Sequence, residues 1–186
     1  MSTSTKYVDL NAELIDRCRQ GDERAQFELY DRYYGAMYNT ALRMLSDPME
    51  AEDVMQDAFL EAFRKLHTFR GDSAFGAWLK RIVVNRCLNV LKRRKVDLSM
   101  EQAGDLPAET LSVADAAQWS VEEIKRAVAD LADGYRVILT LYLFEGFDHE
   151  EIAEVLHISS ATSRSQFARA KGRLRQQLIK VKSHAG

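Results

Sequence analysis

Three stretches of this chain, one basic, one acidic and one mixing an aromatic with amides and cations, combine residue type and spacing in ways that point to chemistry. From Val155 to Gly186 there are seven Lys/Arg and no Asp/Glu. Ser160, Thr162, Arg164, Ser165 and Gln166 offer hydroxyl, guanidinium and amide groups of the kind that read base edges. Arg169, Lys171, Arg173 and Arg175 follow, and cations at that spacing suit backbone phosphates. The plain alternative is a solvated basic helix. Earlier, Asp53, Gln56, Asp57, Leu60 and Arg64 fall on one stripe of a helix at about 100° per residue. An apolar leucine inside an acidic and amide stripe suggests a protein partner, where plain solvent would favour a polar residue. A third stripe joins Trp78, Arg81, Asn85, Asn89 and Lys92 and runs into Arg93, Arg94 and Lys95. An aromatic, amides and cations together suit single-stranded nucleic acid, whose bases stack and whose phosphates pair. Core packing of Trp78 and a basic helix end complementing its own dipole are the alternatives.

Catalytic chemistry finds no comparable support. His67, His149, His157 and His184 are scattered, with no second histidine or cysteine one helical turn away. There is no glycine-rich phosphate loop, no Cys-x-x-Cys and no serine elbow. Glu50, Glu52, Asp53 and Asp57 resemble a metal cluster, but no opposing ligands on another helix accompany them. The expectation is a binding protein with no catalytic residues, metal, cofactor or small-molecule substrate.

The elements that must position these groups are helices. Only two prolines and nine glycines occur in 186 residues, which disfavours a strand-and-turn protein. Residues 10–20 read as a short helix with Leu14 and Cys18 on one face, ended by Gly21, after which Asp22 can cap the next. Phe27, Tyr30, Tyr34, Met37, Ala41 and Met44 recur at steps of three and four and predict a buried face. Asp47-Pro48 is a helix start, and Ala51, Val54, Met55, Ala58, Ala62, Phe63 and Leu66 supply the apolar side of the helix that follows. Residues 68–73 read as a loop. A third long helix is predicted over 74–95, with Phe75, Leu79, Ile82 and Val90 toward the core.

Residues 97–120 break this pattern with five acids, no base, Gly104 and Pro107. They predict a mostly flexible acidic linker, with a brief helix at 113–119. The second part opens on a capping box, Ser120 with Glu123, and Ile124, Ala127, Val128 and Leu131 form its apolar face. Asp133-Gly134 is expected to break this helix, and Glu145-Gly146 to end the strongly apolar stretch 135–144. Asp148 with Glu151 is a second capping box. A helix to Leu156, a tight connection 157–159 and a basic helix from Ser159 or Ser160 to about Lys182 then form a helix-turn-helix. Ile152, Ala153, Leu156, Ile158 and Phe167 are its expected core. The fold class is all-α, with small helical domains at 1–96 and 121–186 joined by the linker.

Charge is divided along the same lines. The chain carries a net −2, but residues 1–96 carry +2, residues 97–120 carry −5 and residues 121–186 carry +1. The local distribution favours a nucleic-acid partner where the total does not. There is no apolar run of about 18 residues, and Met1 to Asp9 lacks a signal-peptide core, so neither membrane insertion nor secretion is expected. Cys18 and Cys87, far apart, suit a reducing cytoplasm.

The segment 150–159, Glu-Glu-Ile-Ala-Glu-Val-Leu-His-Ile-Ser, followed by Thr162-Ser163-Arg164-Ser165 and Arg169-Ala170-Lys171, resembles region 4 of the sigma-70 family, most closely its extracytoplasmic function (ECF) subgroup. Residues 51–59, Ala-Glu-Asp-Val-Met-Gln-Asp-Ala-Phe, resemble region 2.2, and Phe75-x-x-Trp78-Leu79-x-x-Ile82-x-x-Asn85 resembles regions 2.3 and 2.4. The resemblance implies a sigma factor that directs promoter-specific transcription initiation. Its partners would be core RNA polymerase, through the largest-subunit clamp and the β flap, promoter DNA and an anti-sigma factor. Asp53, Gln56, Asp57, Phe59, Leu60 and Arg64 would bind polymerase. Trp78, Arg81, Asn85, Asn89, Lys92 and Arg93, with the loop before them, would hold the melted −10 element. Ser160, Thr162, Arg164, Ser165, Gln166, Arg169, Lys171 and Arg173 would read the −35 element. The chain departs from the family pattern at Asn89 (aspartate is common there), Ala161 (glycine), Ser163 (valine) and Gln166 (arginine). An autonomous helix-turn-helix repressor or activator is the second reading and a nucleic-acid enzyme the third. The Asp53/Gln56/Asp57/Leu60 stripe, which a repressor does not need, separates the first two.

Overall fold

The computed structural model describes residues 11–94 and 119–184. Among them every regular element is helical and there is no strand. The chain divides into two compact units, Met1–Val90 and Leu91–Gly186, with the division inside the last turns of a long helix. Nearly all of the expected linker and its brief helix at 113–119 lie outside the described residues.

The first unit contains α1 (Ala12–Arg19), α2 (Glu23–Leu45), α3 (Pro48–Lys65) and α4 (Phe75–Arg93), with one 3-10 turn at Leu66–Thr68. Local chemistry sets each boundary. Gly21, at φ +83°, turns the chain out of α1 in the left-handed region. The Asp22 carboxylate accepts from the amides of Arg24 (2.9 Å) and Ala25 (3.1 Å), capping α2. Arg17, donating to the same carboxylate at 2.7 Å, and those amides hold Asp22 below its usual titration range. Asp47 caps α3 in the same way, accepting from Met49 and Glu50, with Pro48 at the first helical position.

The two-residue connection at 46–47 folds α2 and α3 into an antiparallel pair. Their seam buries Leu29, Met37, Ala41 and Met44 from α2 against Val54, Met55, Ala58 and Phe59 from α3. Phe27 departs from the expected face and is 70% exposed. The buried stripe near the start of α2 runs through Ala25 and Leu29, which turns Phe27 outward. α4 packs along this pair through Phe75, Leu79, Val83, Val84, Cys87 and Leu88. Its core stripe follows steps of four, so Ile82 and Val90, expected inside, are only half-buried. Arg86 of α4 ties the seam by donating to Glu61 of α3 at 2.7 Å.

The second unit contains α5 (Val121–Ala129), α6 (Asp133–Leu139), a π-helical turn at Thr140–Phe144, α7 (His149–Leu156) and α8 (Ser160–His184). Both capping boxes form, Ser120 with Glu123 and Asp148 with Glu151. Asp133-Gly134 does not break a helix; it begins α6, and the break falls at 130–132. The buried Arg136 guanidinium accounts for this. It donates to the carbonyls of Leu131 (2.7 Å) and Ala129 (3.3 Å) and to the Asp133 carboxylate, satisfying the end of α5 and pinning the start of α6. Residues 134–141 are buried without interruption. The π turn then rotates Tyr142, Leu143 and Phe144, the last residues of the apolar stretch, outward. His157 closes α7 in the left-handed region, at φ 57°.

Two glycines give opposite expectations. A Cβ on Gly35, exposed within α2, meets nothing within 4 Å, whereas one on Gly76 would lie 2.8 Å from Cε1 of Tyr33. Gly35→Ala should raise unfolding stability by up to about 1 kcal/mol through helix propensity. Gly76→Ala should lower it by roughly 1–3 kcal/mol through overpacking. Urea denaturation of the two variants checks the opposite signs. Glu61 yields a pH prediction. Hydrogen bonding from Lys65, at 2.5 Å, and then from Arg86 holds its carboxyl below the ordinary 4.5. A depressed native value means stability that is present above the unfolded value and lost as pH falls through the native one. Glu61→Gln should therefore be less stable than wild type at neutral pH by up to about 1 kcal/mol. Denaturation repeated below pH 4.5 should show that gap closing.

Candidate functional site

On α3 the residues opposite the seam form the expected stripe. Asp53, Gln56, Asp57, Leu60 and Arg64 are all exposed, and Leu60 keeps 62% of its surface in solvent. Phe59 does not belong with them. Its ring is 2% exposed and packs on Tyr30 at 4.7 Å, because it lies on the side of α3 that faces α2. The exposed residues also differ among themselves. Gln56 donates to Glu52, which in turn accepts from the Tyr34 hydroxyl and raises its pKa. Asp57 accepts from Arg86 at 3.1 Å, so the helix behind it already neutralises part of its charge. Asp53 has no ion-pair partner among the described residues, which leaves it the more available anion. Arg86 went unnoticed in the sequence. It stands one residue from Asn85 on α4, and only the packing of α4 on α3 brings it to Asp57 and Glu61.

On α4, Arg81, Asn85, Asn89, Lys92 and Arg93 are exposed and Trp78 is half-buried. At helical spacing, Trp78, Arg81, Asn85, Asn89 and Lys92 share the side away from Leu79 and Val83. Trp78 is both packed and presented. One part of its ring meets Phe69 (5.4 Å) and Phe75 (5.5 Å), the rest reaching solvent. The same two phenylalanines stand edge to face at 5.6 Å, so one aromatic cluster joins the loop's beginning to the helix's first turn. Between them the chain turns at Gly71, with φ +76°, and exposes Arg70, Asp72 and Ser73.

The helix-turn-helix is built around α8. Ser159 caps it, its hydroxyl accepting from the Thr162 amide at 3.0 Å. The side of α8 turned inward carries Ser163, Gln166, Ala170, Leu174 and Leu178. Ile152 of α7 is fully buried, while Ala153, Leu156, Ile158 and Phe167, also expected as core, are half-buried. Gln166, expected to read bases, is 1% exposed. It lies three residues after Ser163, on the same inward stripe, so its amide is withheld from the outer surface. Arg173 flanks this stripe too, its guanidinium 5.9 Å from the Tyr135 ring. The outer side is led by Arg164 and Ser165, both exposed, with Ser160, Thr162 and Arg169 partly so.

Arg164 is pre-oriented. It donates to the Ser160 hydroxyl at 3.1 Å and to the Glu150 carboxylate at 2.9 Å. An exposed pair of this type is worth under about 1 kcal/mol, so it aims the guanidinium without locking it away. Lys171 sits over the Phe167 ring at 5.0 Å. Tyr142 stacks on His149, Phe167 packs against both rings, tilted to the first and edge-on to the second, and His149 Nδ1 lies 2.9 Å from the Ser163 hydroxyl. These contacts link the π turn, α7 and α8, a role for His149 and Tyr142 that the sequence did not signal.

Among the described residues, no three His, Cys, Asp or Glu side chains group so as to hold a metal, and no helix is long and apolar enough to cross a membrane. Residues 29–96 match the family described as Sigma-70 region 2, and residues 121–174 match Sigma-70, region 4. The chain is 34% identical over 171 residues to the RNA polymerase sigma-H factor of Pseudomonas aeruginosa, spanning 86% of this chain and 89% of that protein. It is 31% identical over 176 residues to the ECF RNA polymerase sigma factor SigW of Bacillus subtilis, spanning 88% and 94%. Among solved structures, the sigma factor RpoE in complex with the anti-sigma factor NepR, from Bartonella quintana, aligns with a TM-score of 0.57 at 25% identity. That alignment covers 83% of this chain and 96% of that one. With both family regions matched in order and these relatives aligned along most of their length, the chain belongs to the sigma-70 family of RNA polymerase sigma factors, in its extracytoplasmic function subgroup.

Proposed function

We propose that this sigma factor divides promoter recognition between three surfaces, each on a different helix. The α3 stripe fastens the protein to core RNA polymerase. The outer face of α8 reads the −35 element as duplex. The polar side of α4, with the loop before it, holds the melted −10 strand. The observation that carries the reading is Leu60, a large apolar side chain left in solvent between Asp57 and Arg64 while its neighbour Phe59 is buried. A repressor acting alone would have no use for such a stripe, whereas a basic polymerase surface would pair with the carboxylates and cover the leucine.

Exposure and burial support the following division of roles. Polymerase contact falls to Asp53, Gln56, Asp57, Leu60 and Arg64. On α8, Arg164 and Ser165 lead base readout from the outward side, with Ser160 and Thr162 at its start. Arg169 and Lys171 serve phosphates, and Gln166 acts from within the unit by fixing the pose of α8. On α4, Trp78 supplies a stacking platform, Asn85 and Asn89 supply amides, and Arg81, Lys92 and Arg93 supply charge. The protein works in the cytoplasm by binding, without catalysing bond changes, and the β flap is a further contact on polymerase. An anti-sigma factor belongs among its partners, by relation to the matched complex of RpoE with NepR.

Charge reversal tests the polymerase surface. Asp53→Lys should weaken binding to core RNA polymerase by tenfold or more, with the thermal midpoint unchanged. Asp57→Lys should cost stability as well, since it places a cation beside Arg86. Fluorescence anisotropy with labelled core polymerase measures the first effect, and wild-type affinity of the Asp53 variant would sink the assignment. On α8, Arg164→Ala should cost about 1–3 kcal/mol and relax discrimination at one −35 base pair. Lys171→Ala should weaken all sequences alike and lower the salt dependence. Binding of the holoenzyme to promoters permuted through the −35 element distinguishes these patterns.

A further inference from the structure

The loop assigned to the −10 strand is tethered at both ends to a helix that the proposed reading gives no task. Residues 70–74 run between Phe69 and the first turn of α4. At the near end, Arg19 of α1 donates to the Phe69 carbonyl at 2.5 Å and to the Leu66 carbonyl at 3.4 Å. Asp16, one turn earlier, orients that guanidinium by accepting from it at 2.7 Å. At the far end, the Tyr33 ring stands 5.3 Å from Phe75 and presses on Gly76, where there is no room for a Cβ. The Tyr33 hydroxyl accepts from the buried Asn11 amide at 2.8 Å, at the N-terminal end of α1, and the other side of that amide accepts from Arg32.

Both ends of α1 therefore reach the same short loop, Arg19 directly and Asn11 through Tyr33. The loop interior exposes its side chains and makes its turn at Gly71, so its shape depends on the anchors more than on its own packing. A loop held in advance spares a bound strand the cost of ordering it. The family match begins at residue 29, so α1 lies outside it.

We infer that α1 braces the strand-capturing loop, with Arg19 and Tyr33 as positioning residues that set how well the loop discriminates the captured base. The inference rests on the reading of α4 and its loop as the −10 site.

The test uses holoenzyme assembled from core polymerase and the full chain. The probe is a single-stranded oligonucleotide carrying the non-template −10 sequence of a promoter mapped with wild-type holoenzyme. A matching set places an abasic site at each position in turn. Wild type should lose affinity sharply at one or more abasic positions. Arg19→Ala should bind the intact strand roughly tenfold more weakly, and the sensitive abasic position should then cost little more. Tyr33→Phe, which keeps the ring and removes only the hydroxyl, should show a smaller change in the same direction, and Arg19→Lys should restore part of the loss. Affinity for core polymerase and for duplex −35 DNA should stay at wild-type values. Variants that keep the wild-type ratio between intact and abasic strands overturn the bracing role while leaving the −10 site standing. A wild-type protein indifferent to every abasic position overturns the −10 reading and the inference with it. Tyr33→Phe keeps the ring and Arg19→Lys keeps the charge, so the comparison survives if Arg19→Ala fails to fold.

Discussion

A helix of seven to nine residues does not persist alone in water. In this protein α1, α5, α6 and α7 are all of that length, and each exists because of the face it buries. One-sided burial has a direct consequence for recognition. Whatever a helix offers to a partner must come from the side it does not bury, so the core stripe selects the functional stripe by exclusion. On α3, burying Ala58 and Phe59 turns Asp57 and Leu60 outward. On α8, burying Ser163, Gln166 and Ala170 turns Arg164 and Ser165 outward. The wide core face of α4 leaves only the narrow strip from Trp78 to Lys92.

The same constraint explains why polar residues appear inside. Ser163 and Gln166 occupy the stripe where α8 meets its own unit, and Ser163 pairs with His149 at the start of α7. A small hydroxyl there lets the helices approach closely and ties the capped end of α7 to the recognition helix. Arg136 is a second case, buried where its guanidinium donates to the last carbonyl of α5, at Ala129, and to that of Leu131 just beyond it. In both places a polar group in the core ties two helices together. Ser163 and Gln166, where the chain departs from the family pattern, thus lie on the inward side of α8.

Much of this was legible in the sequence, and its legible parts share a physical scale. The cap carboxylates Asp22, Asp47 and Asp148 and the hydroxyl of Ser120 bond to amides two or three residues ahead, so residue order alone contains them. The tight connection at 157–159 and the basic run of α8 are equally local, as were the motifs that marked the family. The outward stripes on α3 and α4 followed from periodicity, which knows about 100° per residue and nothing of the neighbour. Periodicity could therefore propose a face for Phe27 and Ile82 but not choose it, and the resemblance grouped Phe59 with residues that point the other way.

Tertiary packing made those choices. Phe59 went inside because Tyr30 on α2 was there to meet it, and Phe27 stayed outside because Ala25 and Leu29 filled the seam. Gln166 and the outward Tyr142 follow from the same cause, the inward stripe of α8 and the π turn that ends α6. Contacts across long separations were invisible to the sequence altogether: Arg86 with Asp57, and Arg19 with Phe69, 50 residues apart. The sequence by itself determined where the capped helices begin and which groups each could present, because caps and periodicity act within a few residues. Which of those groups reach solvent, and which helix steadies the loop before α4, depended on side chains from distant segments competing for the same buried space.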